Sequence, residues 1–237
     1  MARSVTDVVT LLEVAWPEQI GANAYLVDDG DLTLVDAGLP VPRRSMAGEI
    51  RDAGHALTDI DRVLVTHYDI DHVGGLARAD IDAPLYLGSL DLRLVRRSWS
   101  PPWRHHKGAF HRLVRRLYSL SGYELRPVFD GDRIGGFRAF HTPGHNPGHT
   151  VFLHPESGAA LLGDLVWNTD GGFVAPPWID SYDTDRMRDS IARIADEQFE
   201  AACMGHGQPL PSGGRSALRE LAAELGIDRS GRPRPRP

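Results

Sequence analysis

The chain has 237 residues, 41% of them hydrophobic and 24% charged, and no apolar run approaches the roughly 20 residues of a membrane span, which predicts a globular, cytoplasmic protein without a membrane partner. A formal net charge of -6 argues against a general nucleic-acid surface, because such surfaces neutralise phosphates with Lys and Arg. The single cysteine, Cys203, excludes an internal disulfide framework and a thiolate-rich zinc site, so any metal must be held by His and carboxylates.

In the first half of the chain, short apolar runs separated by turn signals predict a β meander followed by further strands and helices. Turn residues such as Asp28, Asp29 and Gly30 separate the early runs. A helix is predicted over residues 43–53, because its apolar positions are spaced and Gly54 follows as a C-cap. The other predicted elements are strands at 8–14, 24–27, 32–35, 63–65 and 84–87, a short helix after Asp71, and helical stretches in a basic segment from Leu90 onward.

The second half repeats this pattern with further strands and two helices. Strands are predicted at 128–129, around Ile134, and at 137–140, 151–153, 159–162 and 201–204. A helix is predicted over 183–197, and a last helix ends at Gly226. Two β-rich halves, each finished by helices, indicate an α/β fold in which a pair of sheets is covered by helices on the outside.

Two histidines and two acids follow the buried strand at 63–65, in the stretch LVTHYDIDHVGG. Alternation along an extended segment directs His67, Asp69 and Asp71 to one side, and the turn into a helix brings His72 round to join them. Such a crowded cluster is unfavourable unless a cation neutralises it, so the pattern indicates metal binding. The alternative is a helix N-terminus with Asp71 as its cap and solvated neighbours.

Three further candidate ligands occur at strand ends, each beside glycine. His145 lies in TPGHNPGHT, Asp164 in ALLGDLVW and His206 in ACMGHGQP. Glycine costs stability unless the backbone must turn or approach another group closely, so the repeated pattern favours a shared site. Taken alone, each of these residues is more typical of a turn or a cap.

These residues resemble the metallo-β-lactamase superfamily, whose leading signature is H-x-H-x-D-H, followed by a His, an Asp and a final His. The resemblance covers nearly the whole chain, from Asn23 to Gly207. It implies an α/β fold of the αββα sandwich type, one domain over residues 1–228, with a dinuclear metal site in a groove at one edge. A basic insertion at about 90–123 would lie near the active site. We expect residues 229–237 to form a disordered, basic, proline-rich tail.

The resemblance assigns the metal ligands position by position. The first ion would be held by His67, Asp69 and His145, and the second by Asp71, His72 and His206, with Asp164 bridging. Two divalent ions are implied, with zinc expected. Asp69 stands where the family usually has His, and this harder oxygen ligand shifts the preference toward manganese or iron. In the alternative, Asp69 points elsewhere and the first ion is bound weakly or not at all.

Other residues are predicted to support the ligands or to contact the substrate. Asp36, Thr66 and His149 are expected to hold the ligands in place, Asp36 and Thr66 by hydrogen bonds that fix the imidazole tautomers. The predicted substrate rim comprises Trp99, Trp103, Trp167, Phe173 and Trp178. The cluster Arg104, His105, His106 and Lys107 attracts an anionic group in one interpretation; in the other, this basic segment is a solvated face.

The implied activity is metal-dependent hydrolysis of a small molecule. A hydroxide bridging the two ions would attack a carbonyl, and Asp71 would orient it and accept its proton. The bond cleaved would be that of an ester, thioester, lactone or amide. Hydrolysis of a lactone is less favoured, because homoserine lactonases carry a Tyr three residues after the bridging Asp. This chain has Trp167 there, three residues after Asp164.

Three other functions stay open. Flavo-diiron proteins share this fold, a carboxylate at the position of Asp69 and the interval from His145 to Asp164, which favours a di-iron oxidoreductase, although they normally need an appended flavin domain. A nuclease of the same superfamily is disfavoured by the acidic charge balance. In the third alternative, the site persists only as structure in a binding module. The sequence leaves the oligomeric state open.

Overall fold

The computed structural model describes residues 2–14, 21–41 and 44–226. Its first sheet comprises β1 (Arg3–Ser4), β2 (Val9–Leu12), β3 (Ala24–Asp28), β4 (Leu32–Val35), β5 (Arg62–Val65), β6 (Leu85–Gly88) and β7 (Leu125–Val128). These seven strands follow one another in chain order across the sheet. The pairs from β1 to β4 are antiparallel and the pairs from β4 to β7 are parallel, so the later strands all end at the same edge.

The second half of the chain forms a five-stranded sheet and a separate hairpin. Its strands are β8 (Arg133–Ile134), β9 (Phe137–His141), β10 (Thr150–His154), β11 (Ala159–Gly163), β12 (Trp167–Thr169), β13 (Gly172–Val174) and β14 (Ala201–Met204). The sheet has the order β14-β11-β10-β9-β8, and β12 pairs only with β13. β14 runs parallel to β11, while the other neighbours are antiparallel.

Six α-helices complete the described part of the chain: α1 (Met46–Asp52), α2 (Ile70–Val73), α3 (Ser89–Val95), α4 (His106–Leu117), α5 (Thr184–Asp196) and α6 (Gly214–Glu224). Short 3-10 segments lie at Leu57–Asp59, Gly74–Arg78 and Trp178–Asp180. None of the helices in the described ranges is long and apolar enough to cross a membrane.

Three clusters of buried side chains show how the layers stack. Alternate residues of the two sheets, such as Leu64 and Phe152, meet in a core between them. The opposite face of the first sheet packs against helices α1 and α3, which contribute buried residues such as Ile50 and Leu92. The opposite face of the second sheet packs against α5 and α6. Period-2 alternation along each strand therefore supplies two cores at once, and the order of layers is the predicted αββα.

Three elements differ from the sequence-based predictions. The strand predicted at 128–129 spans Leu125–Val128 instead and completes the first sheet by pairing with β6. Its start contains the exposed residues Arg126 and Pro127, which hide the strand signal, because an edge strand needs little apolar surface and tolerates proline. The β12–β13 hairpin was not predicted. Helix α1 begins at Met46 with Ser45 as its cap, whereas the sequence predicted a start at residue 43, which lies outside the described residues. The predicted tail at 229–237 also lies outside them.

Candidate metal centre

The seven candidate ligands lie where strands end at one edge of the sandwich. The loop after β5 carries His67 and Asp69 into α2, which holds Asp71 and His72; His145, Asp164 and His206 follow β9, β11 and β14. We call His67, Asp69 and His145 the first triad, and Asp71, His72 and His206 the second triad. Within each triad one ligand atom per residue lies within 4.8 Å of the others, and His67, His72 and Asp164 form a third such group between them.

Glycines make this convergence possible. A side-chain carbon at position 205 would lie 2.1 Å from Asp164 Oδ1 and 2.7 Å from His72 Cε1. Gly163 has a positive φ of 52° and is packed against Thr66, so a larger residue there would be both strained and obstructed. The glycines in ALLGDLVW and ACMGHGQP are therefore explained by close backbone approach to the cluster.

Several polar atoms at the centre of the cluster have no hydrogen-bond partner. His67 Nε2, His72 Nε2 and Asp164 Oδ1 are buried and make no hydrogen bond, although His67 Nε2 lies 3.4 Å from Asp69 Oδ2 and His72 Nε2 lies 3.3 Å from Asp164 Oδ1. Buried polar atoms almost always have a partner, and imidazole nitrogen with carboxylate oxygen is a donor set that divalent ions accept. The residues present therefore fit a metal ion.

The second triad surrounds Asp164 closely. His206 Nε2 lies 3.2 Å from Asp71 Oδ2 and 3.3 Å from Asp164 Oδ2, and His72 Nε2 lies 3.3 Å from Asp164 Oδ1. Burial favours the neutral imidazole of His206, but the Asp164 carboxylate outweighs burial and raises the pKa of His206 to about 10. The carboxylates of Asp71 and Asp164 thus strongly favour a positive charge at this point.

The residues predicted to support the ligands lie directly behind them. Asp36 accepts hydrogen bonds from Thr66 N, from Thr66 Oγ1 and, at 2.9 Å, from His72 Nδ1, which directs His72 Nε2 toward the cluster. Asp36 adopts an unusual φ of 57°, consistent with a backbone held in place for this purpose. His149 Nε2 accepts a hydrogen bond from the Asp164 amide at 3.1 Å, and burial lowers the pKa of His149 well below its usual value. A neutral His149 is therefore used in fixing the Asp164 loop.

Asp69 of the first triad has a different environment, because protein donors surround its carboxylate. Oδ1 accepts from Asn146 Nδ2 at 2.8 Å and contacts His111 Nε2 at 2.5 Å, and Oδ2 lies 2.8 Å from Lys107 Nζ. Burial opposes ionisation of Asp69, but the charges of Lys107 and His111 outweigh it and hold the pKa of Asp69 well below its usual value. Asp69 is thus an ionised, buried and fully hydrogen-bonded group.

Lys107 and His111 were not predicted as individual site residues, because the sequence presented them as part of one basic segment. They lie four residues apart in α4, so they share one face of the helix, and both are buried. Two signals could have identified them: this spacing, and the fact that Lys107 is the chain's only lysine.

A groove of about 520 Å³ opens over the cluster. Its lining residues are Leu39, Asp69, Ile70, Asp71, Phe110, Asp164, Trp167, Asn168, Thr169, Asp180, His206 and Gly207. Asp71 and Asp164 therefore meet the groove directly, which is the position that a substrate-contacting carboxylate requires.

Of the predicted substrate rim, the groove contains Trp167, whose Nε1 donates to Asp164 Oδ2 at 3.0 Å. The other four predicted residues do not line the groove. Trp99 packs against the core of the first sheet, and Phe173 is buried in the core beneath α5 and α6. Trp103 and Trp178 are 59% and 66% exposed outside the groove, beside Arg112 and His106. Large aromatic residues near a motif are therefore a poor guide to the rim.

Comparison with known proteins gives a consistent result. The family model of the metallo-beta-lactamase superfamily matches residues 18–206. A probable metallo-hydrolase of Bacillus subtilis (strain 168) is 24% identical over 231 residues, covering 86% of this chain and 88% of the relative. An atrochrysone carboxyl ACP thioesterase of Passalora fulva is 27% identical over 208 residues, covering 85% of this chain and 53% of that protein. A solved metallo-beta-lactamase family protein from Thermus thermophilus superposes with a TM-score of 0.71 at 24% identity, covering 93% of this chain and 80% of that one.

Proposed function

Because the chain belongs to the metallo-beta-lactamase superfamily, we propose that it is a metal-dependent hydrolase that cleaves an ester, thioester, lactone or amide bond of a small molecule. The observation that carries this proposal is the set of buried atoms without hydrogen bonds on His67, His72 and Asp164, of which Asp164 lines the groove. A structural role alone would leave these atoms without partners at a considerable cost in free energy.

Asp71, His72, His206 and Asp164 are the residues best placed to hold an ion. Zinc is the ion that we expect, with manganese and iron as alternatives, since the donors are imidazoles and carboxylates. When bound, a divalent ion polarises the bond under attack and lowers the pKa of a nearby water toward neutrality. The protein's part is to fix the donors through Asp36 and His149 and to admit substrate through the groove.

Asp71 is proposed to orient the attacking water and to accept its proton. Its carboxylate lines the groove, and its Oδ2 lies 3.2 Å from His206 Nε2. Asp164 is less suited to this role, because its two oxygens are turned toward His72, His206 and the Trp167 indole. A carboxylate that is both accessible and held by neighbouring imidazoles can receive a proton without losing its position.

The groove suits a small acyl compound. Leu39, Ile70, Phe110 and Trp167 supply apolar surface, and the volume of about 520 Å³ is in the usual range for small-ligand sites. Its described lining contains four carboxylates and neither Lys nor Arg, so attraction of an anionic substrate would depend on the bound ion. The similarity to a fungal thioesterase supports testing thioesters first.

The proposal is tested by purifying the protein, removing metal with a chelator, and restoring zinc, manganese or iron. Thioesters, esters, lactones and amides are assayed beside oxygen consumption. We expect hydrolysis that disappears with the chelator and returns with metal. Asp71→Asn should lower it by about 10²- to 10⁴-fold, whereas Asp170→Asn, a matched change at an exposed carboxylate, should leave it unchanged. Chelator-resistant hydrolysis, or metal-dependent oxygen uptake without hydrolysis, would contradict the proposal.

A further inference from the structure

We propose that the ammonium group of Lys107 takes the place of the first metal ion, so that the protein binds one divalent ion per chain. The inference rests on the proposed metal-dependent function. It concerns the first triad alone, His67, Asp69 and His145, and it predicts that the second triad with Asp164 holds the single ion.

The surroundings of Lys107 are those of a cation that is already fully coordinated. Its side chain comes from the first turn of α4, and the residue is 4% exposed. Nζ lies 2.8 Å from Asp69 Oδ2, 2.8 Å from His145 Nε2 and 2.8 Å from Asp180 O. An ammonium has three hydrogens, and three acceptors are present. Two of these three acceptors are the first-triad atoms that an ion would need.

The remaining oxygen of Asp69 is also engaged. His111 Nε2 and Asn146 Nδ2 both contact Oδ1, and His111 Nδ1 lies 2.8 Å from the Tyr182 hydroxyl. This chain of contacts orients the carboxylate from behind and leaves it little freedom to turn toward an ion. A divalent cation in the first triad would therefore have to displace the ammonium or lie against it, and like charges repel strongly when buried.

Two of the three unpaired atoms lie on the other side of the cluster. Among the described residues, the first triad contributes only His67 Nε2 to them, while His72 Nε2 and Asp164 Oδ1 adjoin the second triad. The potential metal-ligand atoms around Lys107 are thus hydrogen-bonded to other groups of the protein, whereas His72 Nε2 and Asp164 Oδ1 make no hydrogen bond. This asymmetry is what a site for one ion requires.

The residue type supports the same conclusion. The sequence has 26 Lys and Arg residues, and all but Lys107 are Arg. Lysine carries its charge on one compact atom, whereas the planar guanidinium of arginine presents five donors in a wide fork. The compact ammonium of Lys107 is enclosed by a carboxylate, an imidazole and a carbonyl, a small space that the wide guanidinium of arginine fits less well.

The test is the number of ions per chain, measured by elemental analysis after metal-free protein is dialysed at a fixed concentration of free zinc. We expect one zinc in the unmodified protein and two in Lys107→Met, which keeps an unbranched side chain only one atom shorter and removes its charge. Arg104→Met removes a charge from an exposed residue of the same segment and should leave one. Two zinc ions in the unmodified protein would overturn the inference and leave the hydrolase proposal intact; none would overturn both.

A second pair of variants decides the matter if Lys107→Met fails to fold. Asp69→His restores a histidine to the first triad but retains Lys107, and we expect it to bind one zinc. Asp69→His combined with Lys107→Met removes the Asp69 carboxylate together with its counter-charge, so no unpaired carboxylate remains at this position. This double variant should bind two zinc ions. Equal zinc content in these two variants would show that Lys107 does not control occupancy, which would overturn the inference.

Discussion

The two triads use the same ligand types but differ in what surrounds them. In the second triad, Asp71 and His72 come from helix α2 and His206 from the loop after β14; Asp71 and His206 line the groove, and His72 is buried. The first triad is reached by helix α4, which inserts Lys107 and His111 against Asp69. Asp69 stands where the family usually has His, and its carboxylate contacts Lys107 and His111, which lie about 40 residues further along the chain. The comparison shows that the ligand residues alone do not predict whether a site binds a metal ion, because the side chains packed against the ligands also matter.

The largest expected effect lies in the second triad. Replacing Asp71 with Asn should lower kcat by about 10²- to 10⁴-fold, because the amide cannot accept the proton from water. Steady-state kinetics on the best substrate of the panel gives the measurement. A loss of similar size in Asp61→Asn, at a carboxylate distant from the groove, would show that the effect is not specific to the second triad.

The next largest effect is on stability and falls in the first triad. In metal-free protein, Lys107→Met should lower the free energy of unfolding by about 3 to 5 kcal/mol, because the Asp69 carboxylate remains buried without its main counter-charge. Urea denaturation with and without zinc measures this loss. Zinc should restore more stability to this variant than to the unmodified protein, since only the variant gains a second ion. An equal zinc effect in both would remove the proposed difference between the triads.

A smaller effect is expected behind the second triad. Asp36→Asn weakens the hydrogen bond to His72 Nδ1 and the hold on Thr66, so zinc affinity should fall about 10- to 100-fold. Competition with a chromophoric chelator measures the affinity. If the affinity stays unchanged, His72 is oriented by packing alone, and the contrast with the densely hydrogen-bonded first triad becomes weaker.

The smallest effect tests the outer end of the first-triad network. Tyr182→Phe removes the hydroxyl that lies 2.8 Å from His111 Nδ1 and should cost about 1 kcal/mol of unfolding free energy. Zinc content should not change, because Lys107 and Asp69 keep their direct contacts. Loss of zinc in this variant would indicate that the network controls the second triad as well, and the two triads would then have to be treated as one unit.

Much of the fold and of the cluster follows from local sequence. Strand alternation and turn residues gave both sheets, and the strand-end glycines identified the loops of His145, Asp164 and His206. These signals work because each depends on a few neighbouring residues. The predicted companions Asp36, Thr66 and His149 also lie behind the cluster, as expected for polar residues beside metal-binding loops.

The occupant of the first triad could not be predicted from the same signals. Whether Lys107 faces solvent or the cluster depends on how α4 packs against the strand-end loops, and that packing is a tertiary property. Two of the predicted rim residues, Phe173 and Trp99, pack against cores for the same reason, because they are apolar enough to serve either in a core or in a groove. Composition specifies that a side chain will be buried, but topology decides where.

The most direct test of the difference between the triads is the anomalous diffraction of zinc in crystals of the unmodified protein grown with zinc. We predict one strong peak in contact with Asp71, His72, Asp164 and His206, with the Lys107 ammonium on Asp69 and His145. Two peaks of comparable height, the second bound by His67, Asp69 and His145 with Lys107 displaced, would contradict the account.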